Sequence, residues 1–179
     1  MRLDEVEKYT ACYLISSYNM GKRRLTRARK DIESIPRGST YLDVGCGRGE
    51  TLDLAESHGL IAFGTEIVPA LCDGCSVLQG DITEISWADD RFAYVSCYDV
   101  LEHLPFEDVG PALDELFRVA SNTLFITTND NRLRLGDTEQ HLTRKPREWW
   151  EQEFSKRGYS KIEHCTFATE RDWHWRIDL

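Results

Sequence analysis

Three glycines alternate at positions 45, 47 and 49, between an apolar segment at 41–44 and a segment at 51–57 that has helical character. Glycine is needed where the backbone turns at positive φ, or where it must lie against a ligand without a Cβ in the way. The stretch LDVGCGRGE at 42–50 therefore predicts a turn that cradles a ligand between a strand and a helix. A tight turn without a ligand is the alternative interpretation.

Acidic residues stand at the ends of three successive predicted strands. They are Asp43, Glu66 and Asp81. The carboxyl ends of parallel strands meet at one edge of a sheet, where open α/β sheets bind their ligands. A carboxylate at Glu66 can accept hydrogen bonds from both hydroxyls of a ribose, while Asp81 can accept from an adenine amino group with Ile82 against the ring. The pattern favours a nucleoside ligand, although each acid alone could be an ordinary surface residue.

The elements that position these residues alternate along the chain. Helices are predicted at 3–19, 22–35, 51–57, 111–120 and 146–157, and seven strands at 41–44, 61–66, 76–79, 92–98, 123–128, 162–167 and 173–177. The continuous apolar character of 92–98 predicts a strand buried on both faces, and hence a parallel sheet. The last two strands are predicted to form an antiparallel hairpin, because their link is too short for a helical crossover.

Taken with GDI at 80–82 and DVLEHL at 99–104, the glycine motif resembles the class I S-adenosylmethionine-dependent methyltransferases that act on small molecules. The resemblance covers about residues 38–167. It implies an α/β fold, with a Rossmann-like, seven-stranded, mostly parallel sheet, helices on both faces and an antiparallel C-terminal hairpin strand. It also implies S-adenosyl-L-methionine as cofactor, S-adenosyl-L-homocysteine as product, and methyl transfer to an oxygen or nitrogen. Residues 67–75 depart from the family pattern, being shorter than its usual helix, and are predicted to form a loop.

The resemblance also suggests roles for individual residues. The three glycines would lie against the methionine part of the cofactor, Asp43 would hold its amino group directly or through water, and Asp99 would lie beside the sulfonium and the acceptor. The expected cofactor-binding residues are Asp43, Gly45, Cys46, Gly47, Gly49, Glu66, Ile67, Asp81, Ile82 and Asp99.

Two histidines join Asp99 as candidate catalytic residues. His103 follows the fourth predicted strand, and His141 lies in a polar loop before Trp149 and Trp150. Either imidazole could remove a proton from the acceptor. A supporting role for His103 at the start of a helix is the alternative. No metal is expected, since Cys72 and Cys75 form a single CxxC pair and a structural zinc needs four ligands.

Length and charge constrain the class of protein. A chain of 179 residues suits one domain, here divided into an N-terminal helical lid at 1–37 and a core at 38–179. The net charge is −9, yet residues 1–40 carry nine basic and five acidic side chains. Six of the basic residues fall within 22–30, where they could attract an anionic acceptor or RNA, or form a solvated helical face. By resemblance to the family, Tyr9, Tyr13 and Tyr18 of the lid would close the site over the acceptor.

The sequence also bears on several functions other than small-molecule methyl transfer. A nicotinamide dehydrogenase would need its third glycine one position later, where Glu50 stands. The Asn-Pro-Pro-Tyr signature of base methylation is absent, because Asp99 precedes Val-Leu-Glu-His. An RNA or protein methyltransferase and a non-catalytic binding partner or sensor remain as alternatives. With no long apolar run and no signal-peptide core, a cytoplasmic location without membrane contact is expected.

Overall fold

In the computed structural model, the described residues are 3–14, 22–135, 138–159, 161–164 and 171–179. Tyr18, Cys165 and the predicted end of a strand at 165–167 lie outside them. The α-helices are α1 Leu3–Leu14, α2 Lys22–Glu33, α3 Glu50–His58, α4 Phe106–Val119 and α5 Arg147–Lys156. The strands are β1 Thr40–Val44, β2 Ile61–Glu66, β3 Val77–Gln79, β4 Phe92–Tyr98, β5 Ala120–Asn129, β6 Arg134–Leu135, β7 Thr138–Glu139, β8 Ile162–His164 and β9 Asp172–Asp178.

Seven strands form one sheet in the order β3-β2-β1-β4-β5-β9-β8. The first five strands of this order pair in parallel, and β9 is antiparallel to both β5 and β8. The predicted fold class is therefore confirmed, including the C-terminal hairpin. The order reverses at β1, so the crevice between the carboxyl ends of β1 and β4 is the place where such sheets bind ligands.

Helices cover both faces of the sheet, and side chains alternate between two cores. One core packs Leu42, Val95 and Leu124 against α4 and α5, and includes Trp150 and Phe154. The other packs Tyr41, Tyr94 and Phe125 against α2 and α3. Because neighbouring residues of a strand point to opposite faces, burial on both faces gives the continuous apolar runs of the sequence.

The structure corrects two predicted elements. Helix α4 begins at Phe106 instead of residue 111, and Pro111 lies inside it. Proline lacks a backbone N–H and usually marks a helix start, which is why the sequence pattern placed the start too late. The predicted loop before His141 contains a short antiparallel ribbon, β6–β7. No helix among the described residues is long and apolar enough to cross a membrane.

Helix α2 is tied to the sheet by a buried carboxylate. One oxygen of Asp31 accepts hydrogen bonds from the Tyr98 hydroxyl at 2.7 Å and from His174 Nε2 at 2.8 Å. The three side chains come from α2, β4 and β9, so this contact fixes the helix across two strands. Helix α2 is therefore held firmly against the sheet beside the ligand crevice.

Candidate active site

The glycine turn between β1 and α3 has the backbone that its sequence predicts. Gly45, Gly47 and Gly49 all have positive φ, at 74°, 59° and 85°. A Cβ at Gly45 would lie 2.6 Å from Val100, and one at Gly47 would lie 2.6 Å from the hydroxyl of Tyr13. The turn therefore requires glycine both for its conformation and for the close approach of neighbouring groups.

Glu66 lies at the end of β2 and is fixed against the glycine turn. Its carboxylate accepts one hydrogen bond from the backbone N–H of Gly47 at 2.8 Å and another from that of Val68 at 3.0 Å. Burial raises the pKa of Glu66, and these two hydrogen bonds oppose the rise. A carboxylate has about four lone-pair positions, so two N–H donors leave acceptor capacity for a diol.

Asp81 and two isoleucines form the next part of the wall. Asp81 Oδ1 accepts hydrogen bonds from the backbone N–H of Thr83 at 3.1 Å and from its hydroxyl at 2.9 Å. Ile67 and Ile82 line the same cavity. Two apolar side chains beside a fixed carboxylate suit a flat heteroaromatic ring that carries an amino group.

Asp43 is completely buried behind the turn. Its carboxylate accepts a hydrogen bond from Ser96 at 2.7 Å and pairs with Arg24 of α2 at 3.4 Å. The same guanidinium donates to the carbonyl oxygen of Gly45 at 3.0 Å. Burial raises the pKa of Asp43, while Arg24 and Ser96 oppose the rise. In this arrangement Asp43 holds α2 and the turn together, and it does not line the cavity.

Asp99 follows β4 with a left-handed backbone, at φ 54°. Its N–H donates to the Thr127 carbonyl at 3.1 Å, and its Oδ1 accepts from the Thr127 hydroxyl at 2.8 Å. Arg27 of α2 lies 3.5 Å from Oδ1 and also pairs with Asp172 at 3.3 Å. A non-glycine residue in this conformation is uncommon and must be held by its surroundings, as it is here. The result is a carboxylate fixed at the cavity wall.

His103 and His141 meet beyond Asp99. Their ring centroids are 4.6 Å apart and the rings are nearly perpendicular. His141 Nδ1 donates to the carbonyl oxygen of Asn131 at 2.7 Å, since a carbonyl can only accept. Burial and the neighbouring His141 lower the pKa of His103 to about 3, and burial lowers the pKa of His141. A histidine with a pKa this low is neutral at physiological pH and is a weak proton acceptor.

These groups surround one cavity at the carboxyl edge of the sheet. Its empty space is about 710 Å³, including the mouth that opens to solvent. Tyr9 and Tyr13 of α1 line it on the side opposite the sheet, and Arg48 anchors α1 by donating to the Tyr13 carbonyl at 2.8 Å. Among the predicted site residues, the cavity is lined by Gly45, Glu66, Ile67, Asp81, Ile82, Asp99 and His103.

The other predicted residues lie behind this wall. Gly47 and Gly49 shape the turn, and His141 is buried against His103. The Cys46 side chain packs in the core, where a Cβ at Gly64 would lie 2.6 Å from its sulfur, so the thiol faces away from any ligand. Sequence reasoning missed Arg24 and Glu102 as parts of the site. Neither an arginine within a basic run nor a glutamate on the single-turn 3-10 helix Leu101–His103 carries a sign of burial in the sequence.

The CxxC loop has a structural explanation. Asp73 Oδ1 accepts the backbone N–H groups of Cys75, Ser76 and Val77 at 2.7–2.8 Å. Cys72 donates to the Val68 carbonyl, and burial, Glu66 and Asp73 raise its pKa to about 11. Cys75 is exposed. Among the described residues, neither thiol belongs to a cluster that could hold a metal.

Comparison with known proteins agrees with this fold. Residues 18–178 match the family described as Methyltransferase domain. An S-adenosylmethionine-dependent methyltransferase of Archaeoglobus fulgidus is 19% identical with a TM-score of 0.70, covering 89% of this chain and 95% of that one. One from Aquifex aeolicus is 16% identical with a TM-score of 0.66, covering 99% and 98%. Magnesium protoporphyrin IX methyltransferase of Synechocystis, with bound S-adenosylhomocysteine, is 15% identical with a TM-score of 0.67, covering 98% and 94%. No curated protein matches the sequence significantly.

Proposed function

The chain belongs to the class I S-adenosylmethionine-dependent methyltransferases, and we propose that it transfers the methyl group to an oxygen or nitrogen of a small-molecule acceptor. The observation that carries the proposal is the cavity between the glycine turn and the fixed carboxylates of Glu66, Asp81 and Asp99. The cavity opens to solvent at its mouth, and Tyr9 and Tyr13 of α1 line it together with these acids.

The residues at the cavity fit S-adenosylmethionine. In the proposal, Glu66 accepts the ribose hydroxyls, Asp81 with Ile82 holds the adenine, and the turn at Gly45 and Gly47 admits the methionine part where a Cβ would obstruct it. When bound, this cofactor supplies a methyl group carried on a positively charged sulfur. The acidic residues of the wall favour that charge, because a low-dielectric cleft strengthens charge attraction.

Methyl transfer requires little proton transfer by the protein. A lone pair of the acceptor would take the methyl group, the electrons of the carbon–sulfur bond would leave on sulfur, and the acceptor would give up one proton. Aligning the reacting atoms and excluding water supply most of the rate enhancement. With a pKa of about 3, His103 is ill-suited to store that proton. Asp99 is therefore proposed to orient the acceptor by accepting a hydrogen bond from its O–H or N–H group.

The charge distribution of α2 supports a small acceptor over RNA. Arg24 and Arg27 are buried and paired with Asp43, Asp99 and Asp172. These two cations are therefore not available to phosphate groups at the surface. Salt-dependent phosphate binding requires accessible cations, so burying two of the six basic residues weakens that alternative.

Calorimetric titration of the purified protein with S-adenosylmethionine, S-adenosylhomocysteine and NADH tests the proposal. We expect binding of the first two and a loss of at least about tenfold in Glu66→Ala, since hydrogen bonds to a charged group contribute about 1.5–3 kcal/mol each. Glu56→Ala, an exposed acid on α3, is the matched control and should bind normally. Binding of NADH alone would refute the proposal. A cofactor complex that methylates none of a broad panel of hydroxyl and amine metabolites would favour the non-catalytic binder.

A further inference from the structure

Three donor groups, two of them buried and one half-buried, converge beside the candidate active site. They are the carboxylate of Glu102 and the imidazoles of His103 and His141, and one ligand atom from each lies within 4.8 Å of the other two. We propose that this cluster binds one divalent transition-metal ion of the zinc or manganese type. Two imidazoles and one carboxylate form a donor set that such ions use in proteins, with further positions open to substrate or water.

Glu102 provides the first argument. It is completely buried, and one of its oxygens accepts a hydrogen bond from Asn129 at 2.7 Å. Its other oxygen, Oε2, has no hydrogen-bond partner of normal geometry among the described residues. The hydroxyl oxygen of the nearby Thr128 is also buried without such a partner. A buried carboxylate without its full set of partners is costly, and a bound cation removes that cost.

The two histidines are oriented as metal ligands are. His141 Nδ1 donates to the Asn131 carbonyl at 2.7 Å, so Nε2 is the nitrogen that carries the lone pair. Hydrogen bonds of this kind fix the tautomer and the ring orientation of metal-binding histidines. The His103 ring interacts with the backbone carbonyl of Gln140, and its Nδ1 is buried without a hydrogen-bond partner of normal geometry among the described residues. The Asn129 hydrogen bond to Glu102 completes the same kind of outer support.

The three donors are close enough together to share one ion. Ligands about 2.1 Å from a tetrahedral ion lie roughly 3.4 Å from one another, so small side-chain rotations would draw the three groups in from their present limit of 4.8 Å. The backbone around them is already fixed. The N–H of Thr143 donates to the Glu102 carbonyl at 3.0 Å, and the Thr143 hydroxyl to the Leu104 carbonyl at 2.8 Å. These bonds hold the His141 segment against the Glu102–His103 turn.

The position of the cluster suggests what the ion would do. His103 and Asp99 line the same cavity, so an open coordination position would face the acceptor. This inference rests on the proposed function. It restricts the acceptor to molecules with an oxygen atom that can bind the ion, such as a hydroxyl beside a second oxygen. When bound, the cation would favour loss of the acceptor's hydroxyl proton to solvent at the cavity mouth, which would leave the acceptor oxygen as the nucleophile.

Titration of the chelator-treated, full-length protein with Co²⁺ tests the site. We expect one Co²⁺ per chain, with visible d–d absorption bands, no thiolate charge-transfer band, and displacement by Zn²⁺. Glu102→Gln and His141→Asn should each weaken binding at least about tenfold, because even the outer partners of metal ligands contribute that much. Cys75→Ser and His58→Asn are the matched controls and should bind as the wild type does. Circular dichroism checks that each variant folds.

Absence of stoichiometric Co²⁺ and Zn²⁺ binding would overturn the inference, as would undiminished binding in both ligand variants or its loss in Cys75→Ser. Titration of the metal-free protein with S-adenosylmethionine separates this inference from the proposed function. Normal cofactor binding without metal binding refutes the metal site alone. Metal binding without cofactor binding supports the metal site and refutes the proposed function.

Discussion

Gly47→Ala should disturb the site through two separable effects. The first is backbone strain, since φ is 59° at this position and a left-handed conformation costs an L-residue about 1–2 kcal/mol. The second is contact, because the new Cβ would lie 2.6 Å from the hydroxyl of Tyr13, closer than real Cβ atoms approach. The Tyr13 ring, which lines the cavity, would have to move away from the turn.

Gly38→Ala separates the two effects. Gly38 has φ 83° and nothing within 4 Å of the position that a Cβ would take, so this variant carries the strain alone. We expect it to lose about 1–2 kcal/mol of unfolding free energy. For a chain of this size, each 1 kcal/mol lowers the Tm by roughly 2–4 °C. Gly47→Ala should lose more, and the excess measures the displacement of Tyr13.

Tyr13→Phe should relieve that excess. Without the hydroxyl, the nearest atom to the new Cβ is the ring carbon Cζ at 3.5 Å, an ordinary contact. Relative to Tyr13→Phe alone, the double variant should therefore lose only as much unfolding free energy as Gly38→Ala loses relative to the wild type. Urea unfolding measures the stability of the four variants, and calorimetry measures S-adenosylmethionine binding, which should weaken most in Gly47→Ala. The reasoning fails if Gly47→Ala costs no more than Gly38→Ala, or if Tyr13→Phe gives no recovery.

Two further predictions concern charged groups. Arg24→Met leaves Asp43 buried without its cation and should lower the free energy of unfolding in urea by about 3–5 kcal/mol. The control Arg29→Met, on the exposed face of α2, should lower it by less than about 0.5 kcal/mol. A loss below about 1 kcal/mol for Arg24→Met would contradict the pairing. Arg118 holds the pKa of Glu115 below its ordinary value of 4.5. The pair therefore makes its full contribution to the free energy of unfolding above pH 4.5, and this contribution is lost as the pH falls through the lower pKa of the folded state. Glu115→Gln should flatten this acid loss when unfolding is measured from neutral pH downward, and an equally steep loss would refute the assignment.

The fold was predictable because its signals are local. Each central strand is a short apolar run, and each glycine or proline that bounds it acts on the adjacent backbone. Strand β4, at Phe92–Tyr98, was predicted at its observed bounds for this reason. The start of helix α4 differs from the prediction, because a proline usually marks a helix start and this helix extends five residues before Pro111. Ribbon β6–β7 has two residues in each strand, too few for a periodic pattern to be recognised.

The site was predictable only where backbone geometry determines residue type. The glycines of the turn could be recognised from their spacing, and the acids from their positions at the ends of parallel strands. Glu102 could not be found in this way, because its importance rests on burial and on a contact with Asn129 that is 27 residues away in sequence. Nor could the low pKa of His103, which arises from burial and from a histidine that folding brings to it.

The excess of basic side chains near the N-terminus also has a cause within the fold. Residues 1–40 carry an excess of basic side chains, a pattern that suggests attraction to an external polyanion. In the structure, Arg24 and Arg27 turn inward and pair with Asp43, which is buried behind the glycine turn, and with Asp99 at the cavity wall. A buried carboxylate is tolerated when a cation and hydrogen bonds satisfy it, so the acids that shape this crevice need basic residues from α2. Part of the positive charge of the N-terminal segment is thus explained by the core that it covers, without any polyanion partner.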